Sequence, residues 1–144
     1  MQTAAPQVEN LGYLLAKASQ RWNELLVEAF TRAGYEQVRA SYGSVLLPLW
    51  EQDGLRMGEL AQRARLSKQT MTTLVRLAER DGLVARHADP TDGRATRVRL
   101  TETAIEFAPV AAHEINRLHR RIRTHLGRQA THAFADALHT VSDL

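Results

Sequence analysis

Between Met57 and Leu100 the chain switches from helical to strand periodicity over a short span, and few folds accommodate that order. A short helix begins at Met57. After a turn, a longer helix begins at Ser67, whose side-chain oxygen can accept from the free amide of Gln69 or Thr70. Met71, Leu74, Val75 and Ala78 follow at i, i+3, i+4 and i+7, one apolar stripe at helical spacing. Gly82 stands where a left-handed residue ends a helix, and Leu83 is placed to pack back against it. Val84-Ala85-Arg86-His87 and Thr96-Arg97-Val98-Arg99-Leu100 then alternate as half-buried strands do. The loop Asp89-Pro90-Thr91-Asp92-Gly93-Arg94 joins them, rich in residues that form turns.

The polar side of this segment points to nucleic acid. At about 100° per residue, Gln69, Thr73, Arg76 and Arg80 share the face opposite the apolar stripe. Arginine pairs with guanine edges, glutamine with adenine, and both types donate to phosphates. Lys68 occupies the first helical turn, where the helix dipole disfavours a cation unless an anion lies nearby. In the hairpin, Val84, Val98 and Leu100 suit the core while Arg97 and Arg99 take the other face. Arg94 sits at the tip, where a cation reaches furthest into a narrow, electronegative minor groove. Asp92 is placed to orient an arginine, either Arg94 or Arg86. Each element alone also reads as an ordinary solvated surface. Together they read as a winged helix-turn-helix: a helix for the major groove and a cationic finger beside it.

Charge accounting agrees. Arg56 to Arg99 holds ten Lys/Arg against five Asp/Glu, whereas the remainder holds nine against eleven. The cationic balance is confined to the segment expected to meet phosphates. The 44% apolar and 24% charged content over 144 residues is that of one globular domain, 1–144. The absence of cysteine rules out disulfides, thiol sensing and cysteinyl metal sites. No apolar run is long enough to span a membrane and no signal-peptide pattern appears, so the expected location is cytoplasmic.

The flanks read as helices, giving an all-α fold with a small β-hairpin. Met1 to Gln7 reads as a mobile tail. Val8 to about Ala33 places Leu11, Leu14, Leu15, Ala18, Trp22, Leu25, Leu26 and Ala29 on one broad face, and Gly34 ends it. A second helix is expected from Gln37 to Gln52, bent or shortened by Pro48. Thr101 can cap a long helix to about Leu126, with Ile105, Ala108, Ala112, Ile115, Leu118 and Ile122 as its apolar set. A last helix carries Phe134, Leu138 and Val141. The DNA lobe therefore occupies 37–100. Segments 8–33 and 101–144 hold more apolar surface than that lobe needs and are expected to form a homodimer layer. A two-fold dimer would double the contact on an inverted repeat.

The residues Met57-Gly58-Glu59-Leu60-Ala61, Ser67 to Leu77, and Glu79-Arg80-Asp81-Gly82-Leu83-Val84 with Arg86 resemble the MarR family of bacterial regulators. The most specific part is Asp89-Pro90 through Asp92-Gly93-Arg94, followed by Val98-Arg99-Leu100-Thr101-Glu102, similar to that family's Asp-x-Arg wing and the Leu-Thr-Glu that opens its next helix. The resemblance implies dimerisation through the first and last two helices and recognition helices in successive major grooves of double-stranded DNA. It also implies Arg94 in the minor groove, with Ser67, Lys68, Gln69, Thr70, Thr73 and Arg76, joined by Arg97 on the wing, as DNA-facing positions. Family members are typically repressors, and many release DNA on binding small phenolic or anionic molecules. Two departures stand out. Ala104 replaces a frequent glycine, and Pro48 lies where relatives bind effectors. Without cysteine, the thiol-oxidation response of some relatives is excluded.

Other functions find little support. Tyr13, Trp22, Tyr42 and Trp50 could wall an effector pocket, with Trp22 and Tyr42 the foremost candidates and Arg21 or Lys17 a partner for an acid. An aromatic on an apolar stripe is, however, more often core or interface packing. His113, His119, His125, His132 and His139 recur at intervals of six and seven, about 10 Å apart along a helix, too far to share an ion. No metal or cofactor is expected, unless histidines of two chains meet across a dimer. No nucleophile elbow, phosphate loop or zincin motif is present, so the chain does not read as an enzyme. The alternatives to an effector-released repressor are an effector-independent regulator and a protein-interaction module. The cationic outer face argues against the module.

Overall fold

Short polar side chains set the helix starts, as their amide partners show. Asn10 accepts from the Tyr13 amide at 3.0 Å and opens α1, Leu11–Arg32. The computed structural model describes residues 4–144; the first three residues of the expected tail lie outside them, and its remaining residues form no helix or strand. A single 3-10 turn, Ala40–Tyr42, leads into α2, Gly43–Glu51. The expected helix over 37–52 is thus shorter. The shortening lies at its start, since α2 runs through Pro48 and ends at Glu51, one residue before the expected end.

Strand β1, Leu55–Arg56, precedes α3, Met57–Ala64, where the Glu59 carboxylate accepts from the Arg56 amide at 3.0 Å. Helix α4 is Lys68–Arg80, and the hairpin is β2, Val84–Ala88, with β3, Thr96–Leu100. The sheet has three antiparallel strands in the order β1-β3-β2. The hairpin read from the sequence is therefore extended by a third strand: Leu55 pairs with Val98 and Arg56 with Arg97. Val84 and Val98 are buried as expected.

Helix α5, Glu102–Leu126, begins at Thr101, whose hydroxyl donates to Gly82 O at 2.7 Å and accepts from the Ala104 amide at 3.3 Å. One side chain thus joins the end of α4 to the start of α5. Helix α6, Arg128–Ser142, follows Gly127. The buried seam of α5 runs through Ala104, Phe107, Ala111 and Leu118. This corrects the expected set in its first half, because Ile105 is exposed. Phe107 decides the phase. Its ring meets Phe30 edge-on at 4.8 Å and also contacts Tyr35 and Trp50, so α5 turns toward the α1–α2 core.

The core fills the lobe and fades outward. Tyr42, Leu49, Leu60, Met71, Val75, Leu83 and Val98 are buried, as is the C-terminal third of α1 at Leu26, Ala29 and Phe30. At the other end of α1, Leu11 is 74% exposed, and α6 contains no buried residue. No helix among the described residues is long and apolar enough to cross a membrane.

Candidate nucleic-acid interface

Helix α4 is built as its sequence suggests. Ser67 Oγ accepts from the Thr70 amide at 3.0 Å and donates to Thr70 Oγ1 at 2.8 Å. At the other end, Gly82 takes φ +81°, its amide donates to Glu79 O, and the Leu83 amide donates to Ala78 O. This is the closure that a left-handed glycine permits. Met71, Val75 and Ala78 are buried, Leu74 is half-buried, and Ser67, Lys68, Gln69, Thr70, Thr73 and Arg76 are all exposed. The first turn contains no acid, so its free amides and Lys68 present an uncompensated positive end.

The wing is anchored by a carboxylate other than the expected one. Asp92 Oδ1 accepts from the Arg94 backbone amide at 3.1 Å and forms no ion pair with Arg94 or Arg86. Asp89 performs the orienting instead. Its buried carboxylate accepts from the Thr91 hydroxyl at 2.7 Å, the Thr91 amide at 2.8 Å, Arg56 Nε at 2.9 Å and Arg97 Nε at 2.8 Å. Arg97 also donates to Gly54 O at 2.8 Å, so most of its guanidinium is committed to fastening the wing to β1. Arg86 is held by Glu79, which accepts both its amide and its Nε at 3.0 Å.

The hydrogen bonds from Thr91, reinforced by the charges of Arg56 and Arg97, hold the Asp89 carboxyl far below its ordinary value of 3.8. A depressed carboxyl stabilises the fold fully above that ordinary value, and the contribution is lost as pH falls toward the folded-state value. Thermal unfolding followed from pH 7 down to pH 3 should therefore show stability dropping below about pH 4. Asp89→Asn should unfold at a lower temperature at pH 7 and show a flatter acid limb. An unchanged acid limb in that variant would remove Asp89 from this role.

The remaining charges sort cleanly. All five acids between Arg56 and Arg99 accept hydrogen bonds within the lobe: Glu59 from the Arg56 amide, Glu79 from Arg86, Asp81 from Arg80 and Tyr42, Asp89 as above, and Asp92 from the Arg94 amide. Arg56, Arg80, Arg86 and Arg97 are ion-paired, and Arg63 donates to Gln52. Among the described residues, Arg65, Lys68, Arg76, Arg94 and Arg99 make no side-chain hydrogen bond or ion pair, and all five are exposed. Unneutralised cations around a polar helix and a projecting hairpin suit a phosphate backbone with base edges between its strands.

Residues 43–95 match the family model described as "MarR family". Over that winged-helix segment the chain is similar to the MarR family. Over 58 residues it is 40% identical to the HTH-type transcriptional regulator TtmR of Methylorubrum extorquens (strain PA1), a match covering 40% of this chain and only 30% of that relative. The fold extends the likeness over nearly the whole length. PcaV from Streptomyces coelicolor, solved with its natural ligand, superposes with a TM-score of 0.81 at 24% identity, covering 98% of both chains. The transcriptional repressor CouR bound to a 23-mer DNA duplex gives 0.80 at 24%, covering 96% of this chain and 99% of that one. A MarR regulator from Methanosarcina mazei Go1 gives 0.78 at 16%, covering 92% and 94%. At these identities the structural likeness is one of fold.

The two foremost effector candidates part company. Trp22 borders an open groove of about 960 Å³ between α1, α5 and α6, its ring stacked on His119 with centroids 5.8 Å apart. Leu15, Phe134 and Leu138 line the groove, with Arg123 and Arg128 among its polar groups. Tyr42, expected on a pocket wall, is instead fully buried, and its hydroxyl donates to the Asp81 carboxylate. Burial, then that hydrogen bond, raises the Tyr42 hydroxyl above its ordinary range. Tyr42 therefore ties the 3-10 turn to the end of α4 and does not line that groove. Among the described residues, no three His, Cys, Asp or Glu side chains converge as a metal site.

Sequence reasoning missed Asp89 and Arg65. Asp89 draws on Arg56, 33 residues away, which no local pattern shows. Arg65 had a signal: it occupies the turn between two helices, where glycine would be expected.

Proposed function

We propose that the chain is a dimeric, sequence-specific DNA-binding transcriptional repressor. The observation that carries this reading is the charge sorting between Arg56 and Arg99: every acid there is engaged internally, and five exposed cations are left around α4 and the wing. Ser67, Lys68, Gln69, Thr70, Thr73 and Arg76 would face the major groove, and Arg94 the minor groove. Arg97 serves this surface chiefly by fixing the wing. The layer formed by 8–33 and 101–144 would pair with a second copy, since exposed leucines on α1 and the partly exposed Phe134, Leu138 and Val141 of α6 offer it an apolar face. The solved complex of PcaV with its natural ligand supports a small-molecule effector; the groove beside Trp22, apolar with Arg123 and Arg128 among its polar groups, would suit an aromatic or anionic one that lowers DNA affinity.

The experiment is a mobility shift on duplexes recovered by selection, repeated with a panel of aromatic carboxylates while tryptophan fluorescence is recorded. Retention of a duplex, released by a compound that also quenches fluorescence, is the expected result. Retention unaffected by every compound would favour an effector-independent regulator, and no retention of any duplex would reject the DNA reading.

A further inference from the structure

We infer that Arg65, at the corner between α3 and α4, is a contact for a backbone phosphate of duplex DNA. The inference rests on the DNA-binding reading above and adds a residue to it. The two helices of the lobe close with the same pair of hydrogen bonds. After α4 they run from Gly82 N to Glu79 O and from Leu83 N to Ala78 O. After α3 they run from Arg65 N to Gln62 O at 3.2 Å and from Leu66 N to Ala61 O at 3.0 Å. Both closures need a left-handed pivot. Gly82 supplies one at φ +81°, where the absence of Cβ removes the clash. Arg65 supplies the other at φ +55° and ψ +41°, and it is the only non-glycine residue with positive φ among those described.

Among the described residues no side-chain partner of Arg65 offsets that strain. The Arg65 side chain is exposed and makes no hydrogen bond or ion pair, unlike Arg63 two residues earlier, which donates to Gln52 at 2.8 Å. Leu66 makes the packing contact of the corner and is half-buried. The closure needs the left-handed backbone but not an arginine side chain, and strained positions cluster where function uses the residue. Arg65 precedes the Ser67 cap by two residues and belongs to the same unpaired set as Lys68 and Arg76. A phosphate beside the first turn of α4 is the group that a long cation at this corner can reach. Such a contact fixes register without reading sequence.

The test uses the full chain and a 30-bp mixed-sequence duplex, with affinity measured by anisotropy at several salt concentrations alongside urea unfolding. Arg65→Gly should bind about tenfold more weakly at low salt, with a log K against log salt slope shallower by about 0.9 per bound chain. Its unfolding midpoint should equal or exceed that of the wild type. Arg65→Lys should keep most of the slope, and Arg120→Gln on α5 should keep all of it. Four results would overturn the inference: a wild-type slope in Arg65→Gly, a loss of affinity accompanied by a lower midpoint, a loss in Arg65→Lys as large as in Arg65→Gly, or an equal loss in Arg120→Gln. A wild-type protein that binds no duplex would overturn the DNA reading itself, and Arg65 with it.

Discussion

Replacing Phe134 and Leu138 together by aspartate should convert the protein to a monomer at micromolar concentration and weaken operator binding by at least about 100-fold. Both side chains lie on α6, 45% and 38% exposed, in a helix with no buried residue of its own. They lie on α6, away from the buried core of the lobe, so placing charge there should leave the lobe intact. The effect on DNA is larger than the effect on the fold because two linked readers gain affinity through effective concentration, on the order of 10²–10⁴. Sedimentation velocity and far-ultraviolet circular dichroism separate the two. A monomer with unchanged helix content is the expected outcome, and a persistent dimer would move the interface away from α6.

The second large effect is expected at Arg76. It is exposed on the outer face of α4 and makes no internal bond, so its guanidinium is available for a base edge. Arg76→Ala should cost about 1–3 kcal/mol per half-site and relax preference at one defined base pair. Arg94→Ala should behave differently. The minor groove distinguishes little beyond A·T from G·C, so affinity should fall with only a small change in preference. Competition binding with single-base operator variants reads both. Identical specificity profiles for Arg76→Ala and the wild type would remove Arg76 from base reading.

The local grammar of the lobe was legible in its sequence. Ser67, the Met71–Ala78 stripe and Gly82 act through bonds within four or five residues, and each takes its expected place. The two-residue strand β1 was not legible, because two residues show no period and its pairing with β3 is set by long-range contacts. Asp89 and Asp92 are equivalent in sequence, and only the meeting of Arg56 and Arg97 at one carboxylate separates them. The α5 phase slipped because Ile105 is as apolar as its neighbours, while Phe107 is the residue that three other aromatics surround. Tyr42 was misplaced for a related reason. A tyrosine suits a pocket wall or a core site with one partner, and the partner, Asp81, lies 39 residues away. On α4, helical phase alone proposes Gln69, Thr73 and Arg76, and the family resemblance adds Ser67, Lys68 and Thr70. Which arginines remain free depended on the ion pairs.

The most direct test is selection of bound duplexes from a random library, followed by the stoichiometry of the selected complex. A two-fold reader of this geometry should enrich an inverted repeat with half-site centres about 10 bp apart and bind it as two chains per duplex. Enrichment of a single half-site bound by one chain, or no enrichment at all, would contradict it.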